Sequence, residues 1–230
     1  MIHSKTVTAI VPIKAHSERV PEKNFRPFAD RPLFHHILQT LEETYAVDKV
    51  IVDTDSPRIM QEATELFGKV VCVERPEDLQ GDFVSVNKII GHDMDQVESD
   101  IYLQTHATNP LLKSATIGDA LTAFAKSEQH DSLFSVNRFQ TRLYFDDGRP
   151  VNHDPTELIR TQDLPPIYEE NSCIYIFTRQ SYQAADGRRI GNAPMMFETG
   201  KIESVDIDDE FTFRLAELLA SFAHDRGPGR

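Results

Sequence analysis

The sequence predicts an α/β fold in which a mostly parallel sheet is covered by helices on both faces. Short apolar runs rich in β-branched residues alternate with segments whose apolar residues recur at helical spacing, which is typical of βαβ units. The chain has 230 residues, of which 40% are hydrophobic, enough to bury the core of one domain. No repeat, low-complexity tract or linker divides the sequence. We therefore expect a single domain over residues 1–230 with one small appendage.

The first half of the chain predicts three strands, each followed by a helix. Proline suits the first turn of a helix, so Pro32 is expected to open the first one, and Ser56 is expected to cap the second just before Pro57. Gly68 follows an apolar pair and predicts the end of that second helix. The expected strands cover 7–11, 50–52 and 69–73, and the third helix covers 82–97.

The second half continues the alternation with one interruption. The expected elements are a strand over 101–105, a helix over 114–125, a core strand over 174–177 and an amphipathic helix over 210–222. Ser114 is the expected cap of the helix that it opens. Residues 226–230 contain two glycines and a proline and are expected to form a frayed end.

The interruption lies between residues 132 and 151. There, Asp147-Gly148 stands between β-like flanks, which is a hairpin signal. We predict a β-hairpin arm at about 137–153 that projects from the core and is a candidate for dimerisation. The alternative interpretation of the same residues is an exposed connecting loop.

Charge and cysteine content exclude several classes of protein. Lys and Arg total 24 against 37 Asp and Glu, and the net charge of −13 would repel nucleic acid and anionic membrane surfaces. Cys72 and Cys173 lie in β-like runs without metal-ligand spacing, which predicts buried, reduced thiols. No apolar run approaches the roughly 20 residues that a bilayer requires. We therefore expect a cytoplasmic protein.

The segment that follows the first strand is crowded with hydrogen-bond donors. In open α/β sheets, ligands bind just outside the carboxyl ends of the strands, so donors at this position predict an anion site. The anion that we expect is a phosphate. Pro12 ends the apolar run, and the donors that follow it are Lys14, His16, Ser17, Arg19, Lys23 and Asn24.

Asp206 and Asp208 form the second informative feature. If 204–208 is extended, both carboxylates project from one face, because side chains alternate along a strand. Such a pair can hold Mg²⁺ while substrate phosphates complete its coordination. The alternative is that Asp208 or Asp209 only caps the C-terminal helix. Because a cap explains only one carboxylate, we favour metal binding.

Other motifs carry less information. Asp53 and Asp55 form a rival acidic pair, for which turn residues at a strand end are the commoner explanation. His106 follows the fourth strand on the ligand side of the sheet and is a further candidate. The sequence contains no G-x-G-x-x-G, no G-x-x-x-x-G-K-[ST] and no G-x-S-x-G. A nicotinamide fingerprint, a P-loop and the commonest hydrolase signature therefore lack support.

Taken together and in order, these segments resemble the acylneuraminate cytidylyltransferases, the CMP-sialic acid synthetase family with its legionaminic and pseudaminic acid relatives. The family loop P-A-R-x-x-S-K-R-x-P-x-K-N is matched at Pro12, Ser17, Arg19, Pro21, Lys23 and Asn24. The other matching segments are V-D-T-D at 52–55, R-P-E-D-L at 75–79 with Asp82, A-T-N-P-L-L at 107–112, N-S-C-I-Y at 171–175 and D-I-D at 206–208. The resemblance spans nearly the whole chain.

The resemblance implies a Rossmann-like, three-layer fold of the nucleotidyltransferase type, with a projecting dimerisation arm and hence a homodimer. It implies that CTP and a nine-carbon 2-keto sugar acid react to give the CMP-sugar, a precursor of surface polysaccharides, and pyrophosphate. Mg²⁺ held by Asp206 and Asp208 would stabilise the charge that develops on the phosphate. The expected partners are CTP and an acidic sugar, with no nucleic acid and no membrane.

The resemblance also implies roles for individual residues. The expected catalytic group is Lys14, Lys23, Asp206 and Asp208. The expected nucleotide-binding group is Pro12, Lys14, Ser17, Arg19, Lys23, Asn24, Arg75 and Asp82. The expected sugar-binding group is Gln104, His106, Arg160 and Asn171. Arg160 precedes a segment similar to the family's R-Q-x-L-P and is the expected partner of the sugar carboxylate.

Several positions depart from the family pattern. Lys14 stands where Arg is usual, which keeps the charge but loses the bidentate fork. His106 stands where Gln is common, and Leu112 replaces an Arg. Three other functions remain open: a cytidylyltransferase for another acid such as Kdo or a phosphonate, a glycosyltransferase with a D-x-D metal site, and a non-catalytic nucleotide-binding relative.

Overall fold

The computed structural model describes residues 4–17 and 19–225. The strands are Val7–Ile13 (β1), Pro27–Phe28 (β2), Arg31–Pro32 (β3), Lys49–Thr54 (β4), Val70–Glu74 (β5), Ile101–Gln104 (β6), Ser132–Phe139 (β7), Ile167–Phe177 (β8) and Pro194–Glu198 (β9). The helices are Leu33–Glu43 (α1), Pro57–Leu66 (α2), Val86–Gln96 (α3), Ser114–Lys126 (α4), Arg179–Ala184 (α5) and Glu210–Asp225 (α6). The end predicted to fray, 226–230, lies outside the described residues.

Seven strands form one sheet in the order β5-β4-β1-β6-β8-β7-β9, and β2 pairs with β3 in a separate ribbon. β5, β4, β1 and β6 run parallel to one another, with α1, α2 and α3 as the crossovers. β8 is antiparallel to both β6 and β7, and β9 is parallel to β7. The predicted mostly parallel α/β sheet is confirmed.

Helices cover both faces of the sheet because β1 presents alternate side chains to two different cores. Val7, Ala9 and Val11 pack in the larger core, which includes side chains of α1, α2 and α4. Ile10 points the other way and packs with Ile90 of α3 in the second core. Parallel strands that are buried on both faces carry continuous apolar runs rather than alternating ones. Burial on both faces explains why the sequence of β1 is a nearly continuous apolar run.

The predicted helix starts are partly confirmed. Ser56 caps α2, accepting a hydrogen bond from the Ile59 backbone N–H at 3.4 Å. The prediction that Ser114 caps α4 is wrong, because Ser114 is the first helical residue and Lys113 occupies the cap position with extended dihedral angles. α3 begins at Val86, four residues later than predicted, and Ser85 is its cap residue.

Several elements were not predicted, among them α5, β9 and the ribbon of β2 and β3. α5 has only six residues, too few for a helical period to show in the sequence. β9 lies at the sheet edge and mixes exposed with half-buried side chains, so it lacks an apolar run. The segment 204–208 is irregular rather than extended. The core strand predicted at 174–177 is the end of the longer β8.

The predicted hairpin is present as a short two-stranded turn beyond β7. The Phe145 backbone N–H donates to the Arg149 carbonyl at 2.8 Å, and the Val151 N–H donates to the Leu143 carbonyl at 2.9 Å. Gly148 adopts φ +81°, a left-handed conformation that glycine permits without strain. We refer to residues 137–168, which extend beyond the arm predicted at about 137–153, as the arm. Its exposed large apolar side chains are Phe139, Tyr144, Phe145, Val151, Leu158, Ile159 and Tyr168.

α6 packs against the start of the chain and fixes the segment before it. Phe213 of α6 lies in a small buried cluster with Phe28, Leu33 and Ile207. The Arg26 guanidinium stacks over the Phe213 ring, 3.9 Å from its centroid. Across residues 4–17 and 19–225, we find no helix that combines the length and the apolar composition needed to cross a membrane.

Candidate active site

β1 and β6 part at their carboxyl ends, and we refer to the space beyond these two strand ends as the crevice. Pairing of β1 with β6 stops at Ile10 opposite Gln104, whereas pairing with β4 continues to Ile13 opposite Thr54. The chain leaves β1 towards β4 and β5 and returns on the other side to β6, which makes this the switch point at which open α/β sheets bind ligands. Pro12 lies beyond the last pair with β6, at a position where a strand tolerates proline.

The loop after β1 is held by polar contacts on one side of the crevice. Asn24 Nδ2 donates to the Lys14 carbonyl at 2.9 Å, and the Ala15 N–H donates to Asp55 Oδ1 at 2.6 Å. Lys14 Nζ lies 2.7 Å from Asp82 Oδ1, with side chains 40% and 49% exposed. Ion pairs as exposed as this one contribute only about 0–1 kcal/mol. An incoming anion can therefore replace Asp82 on Lys14.

Lys23 joins this loop to the segment that carries the predicted metal ligands. Its Nζ donates to the Ile207 carbonyl at 2.6 Å, and its side chain is largely buried. Burial lowers the pKa of Lys23, while the carboxylates of Asp206 and Asp208 act in the opposite direction. The structure thus brings Lys23 next to Asp206 and Asp208, although more than half of the chain separates Lys23 from the two aspartates.

Asp206 carries a carboxylate oxygen, Oδ1, that is buried without a hydrogen-bond partner. Burial raises the pKa of Asp206, and a hydrogen bond to the Thr108 side chain opposes that rise. Asp208 Oδ1 lies 2.9 Å from Arg19 Nη2 in a more exposed pair, and Ser17 is half-buried in the same loop. A buried oxygen without a partner is costly unless another group binds it. The two carboxylates therefore fit a hard divalent cation, which prefers oxygen ligands.

The segment around these aspartates is ordered without forming a strand. The Ile207 N–H donates to the Thr108 carbonyl at 2.9 Å, and the Ile207 side chain is fully buried. Asp206 and Asp208, which flank Ile207, both lie close enough to Lys23 for their charges to act on its pKa. The backbone here therefore differs from the extended conformation on which the predicted pairing of Asp206 and Asp208 was based.

Asp209 is the aspartate that caps α6. Its Oδ1 accepts hydrogen bonds from the Thr212 backbone N–H and from the Thr212 hydroxyl, both at 2.8 Å. The same hydroxyl accepts a hydrogen bond from the Asp208 N–H at 3.0 Å. Helix capping therefore accounts for Asp209 but does not account for the side chains of Asp206 and Asp208.

A polar chain lines the other side of the crevice. Gln104 Nε2 lies 3.0 Å from His106 Nε2, and Arg189 Nη1 donates to Gln104 Oε1 at 2.5 Å. Burial, together with the nearby charges of Arg189 and Lys23, lowers the pKa of His106 to about 3. His106 is therefore a neutral imidazole at physiological pH, and its Nε2 accepts a hydrogen bond from Gln104.

Arg75 does not reach the crevice as predicted. Its Nε donates to Asp53 Oδ1 and its Nη2 donates to the Asp53 carbonyl at 3.0 Å, and both side chains are fully buried. The guanidinium that was expected to hold the nucleotide instead holds Asp53 inside the protein. Asp53 is accordingly a buried strand residue rather than the turn residue that the sequence suggested.

Asp93 of α3 completes this buried cluster. Burial and the carboxylate of Asp53 raise the pKa of Asp93 far above its ordinary value. Ligand atoms of Asp53, His92 and Asp93 lie within 4.8 Å of one another. Arg75 already supplies a cation there, and a proton shared by the two carboxyl groups satisfies the remaining charge. The sequence gives no signal for this cluster, because Asp93 lies within an amphipathic helix pattern.

Two residues expected to bind the sugar are engaged elsewhere. Asn171 Oδ1 accepts a hydrogen bond from Ser135 Oγ at 2.6 Å, and its Nδ2 donates to Thr199 Oγ1 at 2.7 Å and to Asn137 Oδ1 at 3.0 Å. These bonds leave Asn171 no donor for a sugar. Arg160 forms a bidentate pair with Asp163, at 2.7 and 3.2 Å, on the exposed surface of the arm.

A basic loop after the first strand, facing an aspartate pair across the switch point of a mostly parallel sheet, defines a nucleotide-binding α/β protein. A model of the family described as "Cytidylyltransferase" matches residues 8–219. The chain belongs to the cytidylyltransferase family.

Three curated relatives are between 24% and 28% identical to this chain. The CMP-N,N'-diacetyllegionaminic acid synthase of Legionella pneumophila is 28% identical, over 93% of this chain and 95% of the relative. The N-acylneuraminate cytidylyltransferase of Streptococcus agalactiae is 24% identical over 93% of this chain, which spans only 54% of that longer protein. The pseudaminic acid cytidylyltransferase of Campylobacter jejuni is 24% identical over 77% of this chain and 80% of the relative.

Solved structures confirm the fold. A CMP:2-keto-3-deoxy-manno-octonic acid synthetase, determined as a complex with CTP, superposes with a TM-score of 0.68 at 15% identity, covering 96% of this chain and 99% of that one. A 4-diphosphocytidyl-2C-methyl-D-erythritol synthase also gives a TM-score of 0.68, at 12% identity, covering 94% of this chain and 99% of its own. At such identities the likeness establishes the Rossmann-like nucleotidyltransferase fold alone.

Proposed function

We propose that this protein is a cytoplasmic cytidylyltransferase that transfers CMP from CTP to a nine-carbon 2-keto sugar acid and releases pyrophosphate. The observation that carries the proposal is the aspartate pair: Asp206 and Asp208 lie beside Lys23 at the crevice, and Asp206 Oδ1 is buried without a partner. The Legionella CMP-N,N'-diacetyllegionaminic acid synthase and the Campylobacter pseudaminic acid cytidylyltransferase support both the donor and the class of acceptor. The product would be an activated sugar acid for surface polysaccharides.

The donor side of the proposed reaction uses the loop after β1. Lys14 and Arg19 are each paired with an exposed carboxylate, Asp82 and Asp208, and both pairs can open to receive phosphate oxygens. Lys23 is buried behind them and supplies a fixed positive charge. Charge that develops on a transferring phosphoryl group is best stabilised by groups already in place, since they need no reorganisation during the reaction.

Asp206 and Asp208 are the residues that would hold Mg²⁺. When bound, the ion would stabilise negative charge on the phosphate oxygens and help to orient the triphosphate. The Lys23 hydrogen bond to the Ile207 carbonyl keeps these aspartates next to the basic loop. The residues for the triphosphate and the residues for the cation are thereby held as one unit.

The acceptor side uses the polar chain after β6. The anomeric hydroxyl of the sugar attacks the α-phosphorus, the bond from phosphorus to pyrophosphate breaks in line with that attack, and the hydroxyl proton is released to solvent water. A neutral His106, with its pKa lowered to about 3, can orient a hydroxyl but is too weakly basic to remove its proton. His106 is therefore proposed to position the acceptor, in keeping with the neutral Gln that the family resemblance places at this position.

Pyrophosphate release tests this function directly. We would incubate the protein with CTP, Mg²⁺ and one of five acids: N-acetylneuraminate, N,N'-diacetyllegionaminate, pseudaminate, Kdn or Kdo. Turnover of a nine-carbon acid, abolished by EDTA, is the expected result. Turnover of Kdo alone would move the assignment to another acid, and silence with every acid would overturn the proposed function.

The metal pair is tested by Asp208→Asn, which preserves shape but removes the charge. We expect kcat to fall by roughly 100-fold or more, because the carboxylate is needed to hold the cation. Asp209→Ser is the matched control, since serine also caps a helix and the residue is one position away. Near-normal turnover by Asp208→Asn would show that the Asp208 carboxylate is not needed to hold the cation.

We also propose that the protein is a homodimer that associates through the arm. The arm exposes Tyr144, Phe145, Val151 and Leu158 on a segment of the chain outside the described cores. Apolar side chains gathered on one exposed segment are typical of interaction surfaces. A second copy of the chain is the partner that the family resemblance implies.

A further inference from the structure

Arg189 is a largely buried cation that the donor side does not use. Its guanidinium carbon lies 3.5 Å from the centroid of the Tyr175 ring, and its side chain is 15% exposed. Its Nη1 donates to Gln104 Oε1 at 2.5 Å. Stacking on Tyr175 and bonding to Gln104 fix the plane of the guanidinium, so that its remaining N–H groups have a set direction.

The charge of Arg189 is incompletely balanced within the part of the chain that the structure describes. The carboxylate at ion-pair distance is that of Glu170, and its Oε1 lies 3.9 Å from Arg189 Nη2, beyond hydrogen-bond length. The same Oε1 accepts a hydrogen bond from the Tyr175 hydroxyl. A buried guanidinium without a close anion is unfavourable, so this position favours a ligand that brings a carboxylate.

The location of Arg189 matches the acceptor side of the crevice. Gln104, which it contacts, is the last residue of β6, and His106 follows two residues later. His106 lies close enough to both Arg189 and Lys23 for each cation to influence its protonation. Arg189 and Lys23 are thus two separate cations near one imidazole, and Lys23 is the one adjacent to the aspartate pair.

We propose that Arg189 binds the carboxylate of the acceptor sugar acid and makes the enzyme select acids over neutral sugars, an inference that rests on the proposed function. A planar fork with free N–H groups suits bidentate recognition of a carboxylate. Arg160, to which the sequence assigned this role, is 73% exposed and already forms a bidentate pair with Asp163. Arg189 is the cation that is both preorganised and available.

The test compares each acceptor acid with its carboxamide, in which the negative charge is absent and the shape is kept. Wild-type protein, Arg189→Met and the control Arg160→Met would be assayed by pyrophosphate release with N-acetylneuraminate, N,N'-diacetyllegionaminate and pseudaminate. We expect Arg189→Met to raise the acceptor KM by about 30-fold or more, the range of one charge-assisted bidentate contact, with the CTP KM within about threefold. Arg160→Met should leave both values unchanged.

The decisive readout is the ratio of kcat/KM for acid over carboxamide. This ratio should be large in wild-type protein and should fall to about one in Arg189→Met, a change that a purely structural role would not produce. Arg189→Lys, which keeps the charge, should retain a clear preference for the acid and covers the case in which the methionine variant fails to fold. An unchanged ratio in Arg189→Met, or loss of the preference in folded Arg189→Lys, would overturn the inference. Silence of the wild-type protein with every acid would instead overturn the proposed function and, with it, this role.

Discussion

Ile207 shows how one apolar residue positions a polar site. It lies between the two aspartates, is fully buried with Phe28, Leu33 and Phe213, and its carbonyl receives the Lys23 ammonium. The segment is therefore held in two ways, by the buried Ile207 side chain and by the hydrogen bond to the Ile207 carbonyl. A polar pair on an irregular segment would otherwise be free to move, and a mobile pair binds a cation weakly.

Replacing Ile207 should therefore affect both stability and turnover. Ile207→Ala is expected to lower the free energy of unfolding by about 2–4 kcal/mol, since burying an isoleucine and filling its cavity contribute on this scale. Urea denaturation would measure this loss, and pyrophosphate release below the unfolding transition should show a raised Mg²⁺ requirement. Ile207→Val, which keeps most of the volume, is the control and should lose only about 1 kcal/mol. A normal Mg²⁺ requirement in the alanine variant would show that Ile207 does not position the pair.

At the scale of secondary-structure elements, α3 is joined to β4 by a buried acid pair. Asp93 of α3 meets Asp53 of β4, and Arg75 after β5 donates to the same Asp53. One guanidinium cannot neutralise two carboxylates in a buried environment, so a proton must remain on the pair. The contact between these elements is therefore a hydrogen bond that depends on protonation.

This acid pair predicts a loss of stability at alkaline pH. Burial and Asp53 raise the pKa of Asp93 from 3.8 to about 9, so the folded protein keeps a proton that the unfolded chain has released. Because the folded state binds more protons, the free energy of unfolding should fall as the pH rises from about 4 towards 9. Asp93→Asn donates the same hydrogen bond without titrating and should flatten this slope in pH-dependent urea denaturation. An equal slope in Asp93→Asn and wild type would assign the pH dependence to other groups.

The pairing of β7 with β8 contains a bulge that Asn171 holds together. The register shifts between Phe134 and Val136, and Ser135 lies at the shift, where its hydroxyl donates to Asn171 and accepts from the Ile174 N–H at 2.8 Å. The bulge sets the course of β8 between Glu170 and Tyr175. These are the residues that flank Arg189.

Asn171→Ala should consequently behave as a stability variant. Loss of the amide leaves the Ser135, Asn137 and Thr199 side chains with missing partners in a buried setting, which predicts a decrease of about 1–3 kcal/mol in the free energy of unfolding. Thermal denaturation measures this decrease. Asn137→Ala, which removes the most exposed of the three partners, is a milder control. If Asn171→Ala kept full stability and had a raised acceptor KM, Asn171 would contact the sugar, as the sequence analysis predicted.

The order and type of the major elements could be predicted because buried parallel strands and amphipathic helices each have a period in the sequence. β1, α1, β4, α2 and α4 follow from such runs. α5 and β9 could not, since a six-residue helix and a half-exposed edge strand depend on their neighbours for stability. The start of α3 was displaced because residues 82–85 are compatible with a helix and are excluded from it only by the turn that precedes Val86.

In the candidate site, too, residues that lie on local motifs could be predicted, whereas contacts between distant parts of the chain could not. Lys14, Lys23, Asp206 and Asp208 were predicted from motifs on segments of unusual composition, and the structure places Lys23 beside the two aspartates and Lys14 in the loop after β1. Arg75 and Asn171 match motifs equally well, yet their side chains satisfy Asp53 and Ser135 inside the protein. Arg189 has no motif at all. Its importance depends on Tyr175 and Gln104, which only the folded sheet brings to it.

At the scale of the whole molecule, the arm is the part least involved in the two cores. Its exposed apolar residues would be covered if two copies of the chain associate through it. The double variant Phe145→Glu and Leu158→Glu should then be a monomer by light scattering at concentrations where the wild type is a dimer, because buried like charges oppose association. Leu66→Glu, an exposed apolar position on α2, is the control and should remain dimeric. If the wild-type protein is a monomer, the proposal that the arm is a dimer interface is wrong.

The ion pairs of the loop have a consequence for selectivity in a crowded cell. The ion pairs Lys14–Asp82 and Arg19–Asp208 offset the positive charge of the loop until a ligand binds. Within a chain of net charge −13, such masking leaves little attraction for stray polyanions such as RNA. Under the proposed function, a nucleotide that arrives with Mg²⁺ would supply a cation to Asp208 as its phosphates take Arg19 away, whereas free phosphate would supply none. The proposed site would therefore favour a metal–nucleotide complex over free phosphate groups.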